Sequence, residues 1–342
     1  MRARRRSAPS RASIAAVLLL VALSACQRGT DAPPPRPWRV AVVQLDDDAD
    51  TRALLDGVQA ALGESSLQLE RDYVLTAYNA HGDPKRLPAL INGALRDGAH
   101  SLLAIGTAAL EAAHAAGART PIVFTDVADP VQAGVRPPSV WRRWLPFLFS
   151  AEGVPVTGAY AQDTFGELLE DSRGVVNGRL GAVVVRSDRD ALAYRDALRD
   201  AAGERSQAVE FDSVASAAEV GDAAKRLCVH GVVGLIALGD RASNGAFDAL
   251  QQAALACGIP VFGTLHAHAD AGAAIVLARD PIGAAHEAGR MVARLARGEP
   301  AADIPIAAIP GTALILNPVA AEKADVGIPF SLVQRADEVL GD

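Results

Sequence analysis

Nothing in this sequence is long and apolar enough to span a bilayer. Its most apolar run, Ile14 to Leu23, has ten residues, a helix of roughly 15 Å against a hydrocarbon core about twice as thick. Cysteine is scarce, with three residues in 342, which excludes a small scaffold stapled by disulfides. Lysine occurs only at Lys85, Lys225 and Lys323, so 30 of the 33 cationic side chains are arginine. There is no G-x-S-x-G, no P-loop and no H-E-x-x-H, and neither Cys228 nor Cys257 has a histidine in a recognised catalytic pattern. No enzyme and no cofactor is therefore expected; binding is the default. No short-period repeat is present, which excludes a solenoid.

What is there begins with length. At 342 residues and 50% hydrophobic, the chain is neither disordered nor a single ordinary core, and fits two domains of about 150 residues each. The formal charge is −7, yet residues 1–25 carry five arginines and no acid. Removing them takes the charge to −12, a surface that repels phosphate backbones, so no nucleic-acid partner is expected.

Residues 1–25 have the three parts of an export signal: the cationic start Arg2–Arg11, the apolar core and a run of small residues. The end of that run, Leu23-Ser24-Ala25-Cys26, resembles the lipobox of bacterial lipoproteins. The resemblance implies cleavage before Cys26 and a thioether-linked diacylglycerol on it, anchoring the mature chain to a membrane and facing the periplasm or cell exterior. The other reading is an ordinary secretory signal with a chance cysteine. Residues 26–37, with Pro33, Pro34, Pro35 and Pro37, read as an extended tether.

From Trp38 onward short apolar runs alternate with helical patterns. Arg39–Leu45, Val74–Tyr78, Ser101–Ile105 and Pro121–Phe124 are predicted strands, with helices over Thr51–Leu62, Leu87–Leu95 and Ala108–Ala116, the last with Thr107 as its expected N-cap. The rhythm restarts with strands at Leu180–Val185, Ala208–Phe211, Val232–Leu238 and Ile259–Phe262, and helices at Asp190–Ala201, Ser216–Leu227 and Ser243–Ala256. This is an α/β chain of two doubly wound parallel-sheet lobes.

Ligands of such sheets bind beyond the carboxyl ends of the strands. The polar residues there are Gln44, Asp46, Asn79, Gly106, Thr107, Asp126, Asp188, Asp240, Arg241, Thr264 and His266. Strand ends also turn polar simply on meeting solvent, so position alone does not separate the two reasons. Gly106-Thr107 stands out, because a helix start with free N–H groups and a hydroxyl suits a carboxylate. Thr107 as a mere cap is the alternative. Asp240, Asp188 and Asp126 are candidate acceptors for an ammonium; Asp129-Pro130 equally suits a turn. His266, His268 and Asp270 lie close in sequence but are too weak a pattern to assign a metal.

YNAHGDPKRLPAL (78–90), AIGTAALEAA (104–113) and PIVFTDVADPVQAGV (121–135) resemble ABC-transporter substrate-binding proteins of the tryptophan/tyrosine-receptor type. So do VTG (156–158), IPVFGTLHAHADAGAAI (259–275), ARGEPAADIPI (296–306) and IPFSLVQRADEVL (328–340). The resemblance implies a type I periplasmic-binding-protein fold with a hinge of three chain crossings. Lobe one would take 38–155 plus 266–304, and lobe two 156–265 plus 305–342. It implies a small-molecule solute, an amino acid or related anion or zwitterion, captured between the lobes, and a membrane permease as partner. A sensory receptor that engages a kinase ectodomain without transport is the alternative. Two departures stand out: Arg241 replaces the family's Asn after the aspartate at 240, and Leu265-His266 replaces an acidic pair. Both make the cleft less negative and favour a more anionic solute. The Trp141–Phe149 segment is longer than the family's link between lobes and reads either as a loop packed back on the lobes or as an apolar, cationic flap for a partner or membrane.

Cys228 and Cys257 each end a predicted lobe-two helix just before a strand. If that lobe has strand order 2-1-3-4, right-handed crossovers place the two helices side by side. Either the cysteines pair, as an oxidising compartment favours, or they are two buried thiols.

Overall fold

The computed structural model describes residues 37–117, 119–135, 154–311 and 313–341. The signal segment, Cys26, the tether up to residue 36 and the Trp141–Phe149 segment lie outside them. Among the described residues no helix is long and apolar enough to cross a membrane.

Along the chain, β1 (Trp38–Gln44), α1 (Ala49–Glu64), β2 (Tyr73–Asn79), α2 (Leu87–Arg96), β3 (Ser101–Ile105), α3 (Thr107–Ala115), β4 (Ile122–Thr125) and β5 (Val156–Ala161) form the first lobe. The chain crosses at 162–164 into α4 (Phe165–Arg173), β6 (Leu180–Val185), α5 (Arg189–Glu204), β7 (Val209–Val214), α6 (Val220–Val229) and β8 (Leu235–Ile236). The second lobe continues with α7 (Arg241–Gly245), α8 (Phe247–Ala256), β9 (Val261–Gly263), α9 (His266–Asp270) and β10 (Ile275–Ala278). A second crossing at 279–280 returns to lobe one as α10 (Pro281–Ala296) and β11 (Ala307–Ile309). After Ile309 a third crossing leads to β12 (Ala313–Leu316), α11 (Pro318–Lys323), α12 (Phe330–Val333) and β13 (Glu338–Val339) of lobe two.

Lobe one is a six-stranded parallel sheet ordered β2-β1-β3-β4-β5-β11. Lobe two is a seven-stranded sheet ordered β7-β6-β8-β9-β10-β12-β13, parallel except for the β10–β12 pair. The central strands are apolar throughout because both faces are covered. In β1, Val40 and Val42 pack with Leu54, Val58 and Val292 of α1 and α10, while Ala41 and Val43 pack with Leu87, Ile91 and Leu110 on the other face. Each large apolar side chain buried this way contributes about 1.5–3 kcal/mol. Helices α1 and α10 touch closely because residue 289 is glycine: a Cβ there would lie 2.5 Å from the Val58 carbonyl oxygen.

Several boundaries differ from the sequence expectation. The lobes divide at 162–164, at 279–280 and after Ile309, not at 155, 265 and 304. Val156 pairs with Ile122, so β5 closes the first sheet. Ala307 pairs with Ala159, so β11 joins it there, while β10 pairs with β9 and β12 in lobe two. These assignments depend on pairing between distant strands, which local pattern does not carry. The expected strand Val232–Leu238 keeps only Leu235–Ile236 in the ladder, and the expected helix Ser243–Ala256 is two helices meeting at Ala246.

Lobe two has the order 2-1-3-4 in β7-β6-β8-β9, which sets α6 beside α8 on one face. Cys228 in the last turn of α6 and Cys257 at the end of α8 are disulfide-bonded, with Cα atoms 6.3 Å apart.

Candidate functional site

The carboxyl ends of both sheets face a cleft between the lobes; besides a solvent-exposed ion pair of Arg189 with Glu111 at 3.6 Å, two hydrogen-bonded contacts join the lobes across it among the described residues. Arg241, at the start of α7, donates from Nη1 to Asp48 Oδ2 at 2.6 Å and from Nη2 to Thr51 Oγ1 at 3.2 Å. Asp48 also caps α1, accepting from the Thr51 amide at 2.8 Å. Burial alone would raise the Asp48 pKa, but the Thr51 amide, the Thr51 hydroxyl and Arg241 outweigh it and hold it below the usual value. The second contact runs from the Thr107 hydroxyl to Asp190 Oδ1 at 2.5 Å, with the Ala128 amide donating to the same oxygen at 3.4 Å.

Thr107 is thus not a cap. Helix α3 begins at Thr107 itself, with Gly106 (φ 87°) as the capping position and no side-chain cap. Its buried hydroxyl reaches instead for the carboxyl of the opposite lobe. The anion cradle expected at Gly106-Thr107 already has a carboxyl against it, and that carboxyl is the protein's own.

Asp190 pays for this position in protonation. Burial first, then the neighbouring Asp126 charge, pushes its pKa up to about 7, against the partial relief of the Thr107 bond. Asp126 follows β4 in a left-handed conformation (φ 56°), and burial raises its pKa although Arg279 and Arg241 oppose the rise. Two carboxyls, one from each lobe, therefore lie together where both resist ionisation.

Other expected site residues serve the scaffold. Asp188 caps α5 through the amides of Asp190 and Ala191 at 2.8 and 3.3 Å, and its second oxygen accepts from the Ala242 amide at 3.2 Å. Asp240, 1% exposed, caps α7 by accepting from both the amide and the hydroxyl of Ser243. Its burial, then Asp188, pushes its pKa up to about 6. The Thr264 hydroxyl donates to the carbonyls of Ala237 and Leu238. Asp46 and Asn79 accept from the neighbouring amides of Asp47 and His81, and Asp129 accepts from the amides of Val131 and Gln132 in a turn. Gln44 is buried at the end of β1, and its Oε1 has no hydrogen-bond partner; nor has Thr125 Oγ1 at the end of β4.

His266 lies apart, on the surface, 3.2 Å from Glu338. His268 is buried and stacked on Phe247, with ring centroids 4.7 Å apart. Its Nδ1 accepts from the Thr264 amide and its Nε2 donates to Asn244 Oδ1 at 2.9 Å. Burial, helped by Arg279, lowers its pKa to about 3, so the ring is neutral. Among the described residues no group of three His, Cys, Asp or Glu side chains is placed to hold a metal ion.

Arg279 was not among the expected site residues. It follows β10 on the second crossing, is 6% exposed, and lies over the Tyr194 ring with its guanidinium carbon 4.1 Å from the ring centroid. Its Nη1 donates to the Tyr194 hydroxyl, and its Nη2 to the carbonyls of Gly239 at 2.8 Å and Leu238 at 3.5 Å. Gly239 (φ 79°) makes room, since a Cβ there would collide with this guanidinium. The signal was available: in Ile275-Val276-Leu277-Ala278-Arg279-Asp280-Pro281 an arginine ends an apolar run just before a helix start. Recognising that run as a lobe-two strand would have put Arg279 at the cleft.

The family model described as ABC transporter substrate binding protein matches residues 181–340. A solved structure described as a conserved domain protein from Vibrio cholerae superposes with a TM-score of 0.76 at 21% identity, covering 88% of this chain and 99% of that one. An ABC domain from Streptococcus pneumonia in complex with L-Trp gives 0.76 at 17% identity, covering 89% and 100%. A ligand-free, open substrate-binding protein with adhesive properties from Clostridium difficile gives 0.64 at 19% identity, covering 88% and 98%. No curated protein matches the chain by sequence. The chain therefore resembles the ABC transporter substrate-binding proteins, by sequence over residues 181–340 and by fold over nearly all the described residues. Its two lobes form a type I periplasmic-binding-protein fold.

Proposed function

We propose that this chain, similar to ABC transporter substrate-binding proteins, is an extracytoplasmic, lipid-anchored receptor that captures a small amino acid or related anion or zwitterion for an ABC importer. The observation that carries the reading is the meeting of polar groups from both lobes across one cleft, Arg241 with Asp48 and Thr107 with Asp190. Side chains that pair when the lobes approach suit a hinge that closes over a solute and presents a defined face to a permease. A structural neighbour is described in complex with L-Trp, and another in complex with 5-methylthioribose, so small solutes suit this fold. Transport is tested by deleting the protein from its host: uptake of the solute that co-purifies with it should fall to the level of a permease deletion. Unchanged uptake contradicts the importer role.

The anchor rests on the Leu23-Ser24-Ala25-Cys26 sequence and is tested separately. In the native host Cys26→Ser should release the protein from the membrane fraction and abolish incorporation of labelled fatty acid. Membrane retention by the variant, with no label on the wild type, contradicts lipidation.

A further inference from the structure

At the strand ends the lobes touch directly, and the donors expected to hold a solute there hold the protein's own carboxyl groups, Thr107 that of Asp190 and Arg241 that of Asp48. Room for a solute lies one helical turn away. A cavity of about 890 Å³ opens between the lobes, within the size range of small-molecule sites. It begins where the strand-end contact stops: Ala128, whose amide donates to Asp190 Oδ1, lines it, and so does Tyr194, one turn of α5 beyond Asp190. Pro130, Tyr160, Ile306 and Ala308 contribute to its lobe-one wall, and Tyr194 and Leu277 to the lobe-two wall.

The charged lining is of one sign. Asp129, Asp163, Glu167, Asp196, Asp200 and Glu204 face the cavity, against Arg205 as the one cationic side chain among the described residues that line it. Several of these acids are already answered. Asp196 pairs with Arg195 and Arg199 at 2.8 and 2.6 Å, and Glu204 lies 3.4 Å from Arg205. Asp129 and Asp163 accept from backbone amides. Glu167 on α4 and Asp200 on α5 enter neither an ion pair nor a hydrogen bond among the described residues, although α4 and α5 pack on one another through Leu168, Leu169 and Leu198. Carboxylates gathered in a concave site of low-dielectric walls concentrate a negative potential there. An anion entering it would meet like charge, and a cation would not.

We propose that this cavity holds the solute and that the solute is an organic cation, its ammonium or guanidinium answered by Glu167 and Asp200 and its carbon body lying against Pro130, Tyr160, Ile306 and Leu277. The proposal rests on the solute-binding function above and narrows its ligand to species of net positive charge, basic amino acids and amines of similar size. It reverses the more anionic solute that Arg241 and His266 suggested in the sequence, because Arg241 spends its charge on Asp48 and His266 lies on the surface beside Glu338.

The test is calorimetric titration of wild type, Glu167→Gln/Asp200→Asn and Ala308→Trp, after unfolding and refolding to remove bound solute. The probes are L-arginine, L-lysine, putrescine, L-glutamate, succinate and D-ribose. At least one cationic probe should bind the wild type, with affinity about 10-fold lower in the double variant, whose two sites are exposed and keep their shape. Added salt should weaken binding to the wild type more than to the double variant. Ala308 is exposed on β11 and lines the cavity, so the indole of Ala308→Trp occupies the space and should abolish binding of that probe whatever the salt. Binding of a carboxylate anion or D-ribose alone, or cation binding unchanged in both folded variants, overturns the cavity assignment and leaves a receptor that holds its solute elsewhere. Binding of none of the six probes also overturns it, whereas the solute-binding function falls only if uptake survives deletion of the protein.

Discussion

Asp190→Asn should stabilise the protein at pH 8 and leave its stability near pH 4 unchanged. The folded-state pKa of Asp190 stands at about 7, above its unfolded value near 4. The folded chain therefore binds a proton more tightly than the unfolded one. Stability from this group is fully present below the unfolded pKa and is lost as pH rises through the folded one, the reverse of a salt-bridged aspartate. At about 1.4 kcal/mol per unit, the loss across pH 4 to 8 is about 3 to 5 kcal/mol. Asparagine removes the charge and keeps a carbonyl oxygen for the Thr107 hydroxyl and the Ala128 amide, the two donors to Asp190. Melting curves of both proteins between pH 4 and 8 should diverge steadily with pH, the variant ending several degrees higher. A difference that does not change with pH would show that Asp190 is not held protonated by burial between the lobes. Because Asp126, whose charge helps raise the Asp190 pKa, lies on the other lobe, the same proton also favours closure, so the cleft should close more readily at pH 6 than at pH 8.

Replacing both members of the lobe-two disulfide, as Cys228→Ala with Cys257→Ala, should cost about 3 to 4 kcal/mol in the chain-entropy model. The bond closes a loop of 29 residues. It ties the ends of α6 and α8 at the edge of the sheet away from the strand ends that face the cleft. Solute affinity should therefore hold while stability falls. The comparison is thermal unfolding of wild type and double variant without reductant, beside wild type with reductant. The double variant and the reduced wild type should melt together, several degrees below the oxidised protein. Coincidence of all three curves would mean the crosslink constrains little in the unfolded chain.

The strands of both lobes were legible because central parallel strands are apolar on two faces. Val40–Val43 and Leu180–Val185 leave no other reading. Their allocation between lobes was not, because β5 and β11 owe their place to partners far along the chain. The rule that ligands gather at strand ends pointed to Thr107, Asp126 and Arg241, which the structure brings to the meeting of the lobes. It did not point to Asp48, Asp190 and Tyr194, which sit on helix starts and helix turns, nor to Arg279, whose segment carries no predicted strand and falls within the 266–304 stretch that the resemblance gives to lobe one. It also did not tell contact with solute from capping. Asp188 and Asp240 sit at strand ends and spend their oxygens on the amides of α5 and α7. What Thr107 and Arg241 do is set by the opposite lobe, and no local pattern encodes which side chain will stand across a cleft.

The central claim is that a small solute is held in the cleft between the lobes, which the pairing of Thr107 with Asp190 helps to close. Native mass spectrometry of protein purified from its host without denaturation tests it most directly, with Thr107→Val/Asp190→Ala as the comparison. The wild type should carry one adduct of a single small-molecule mass, released on unfolding, and the double variant should carry it at much lower occupancy. Wild-type protein bare of any adduct, or an adduct retained at equal occupancy by the double variant, would contradict the account.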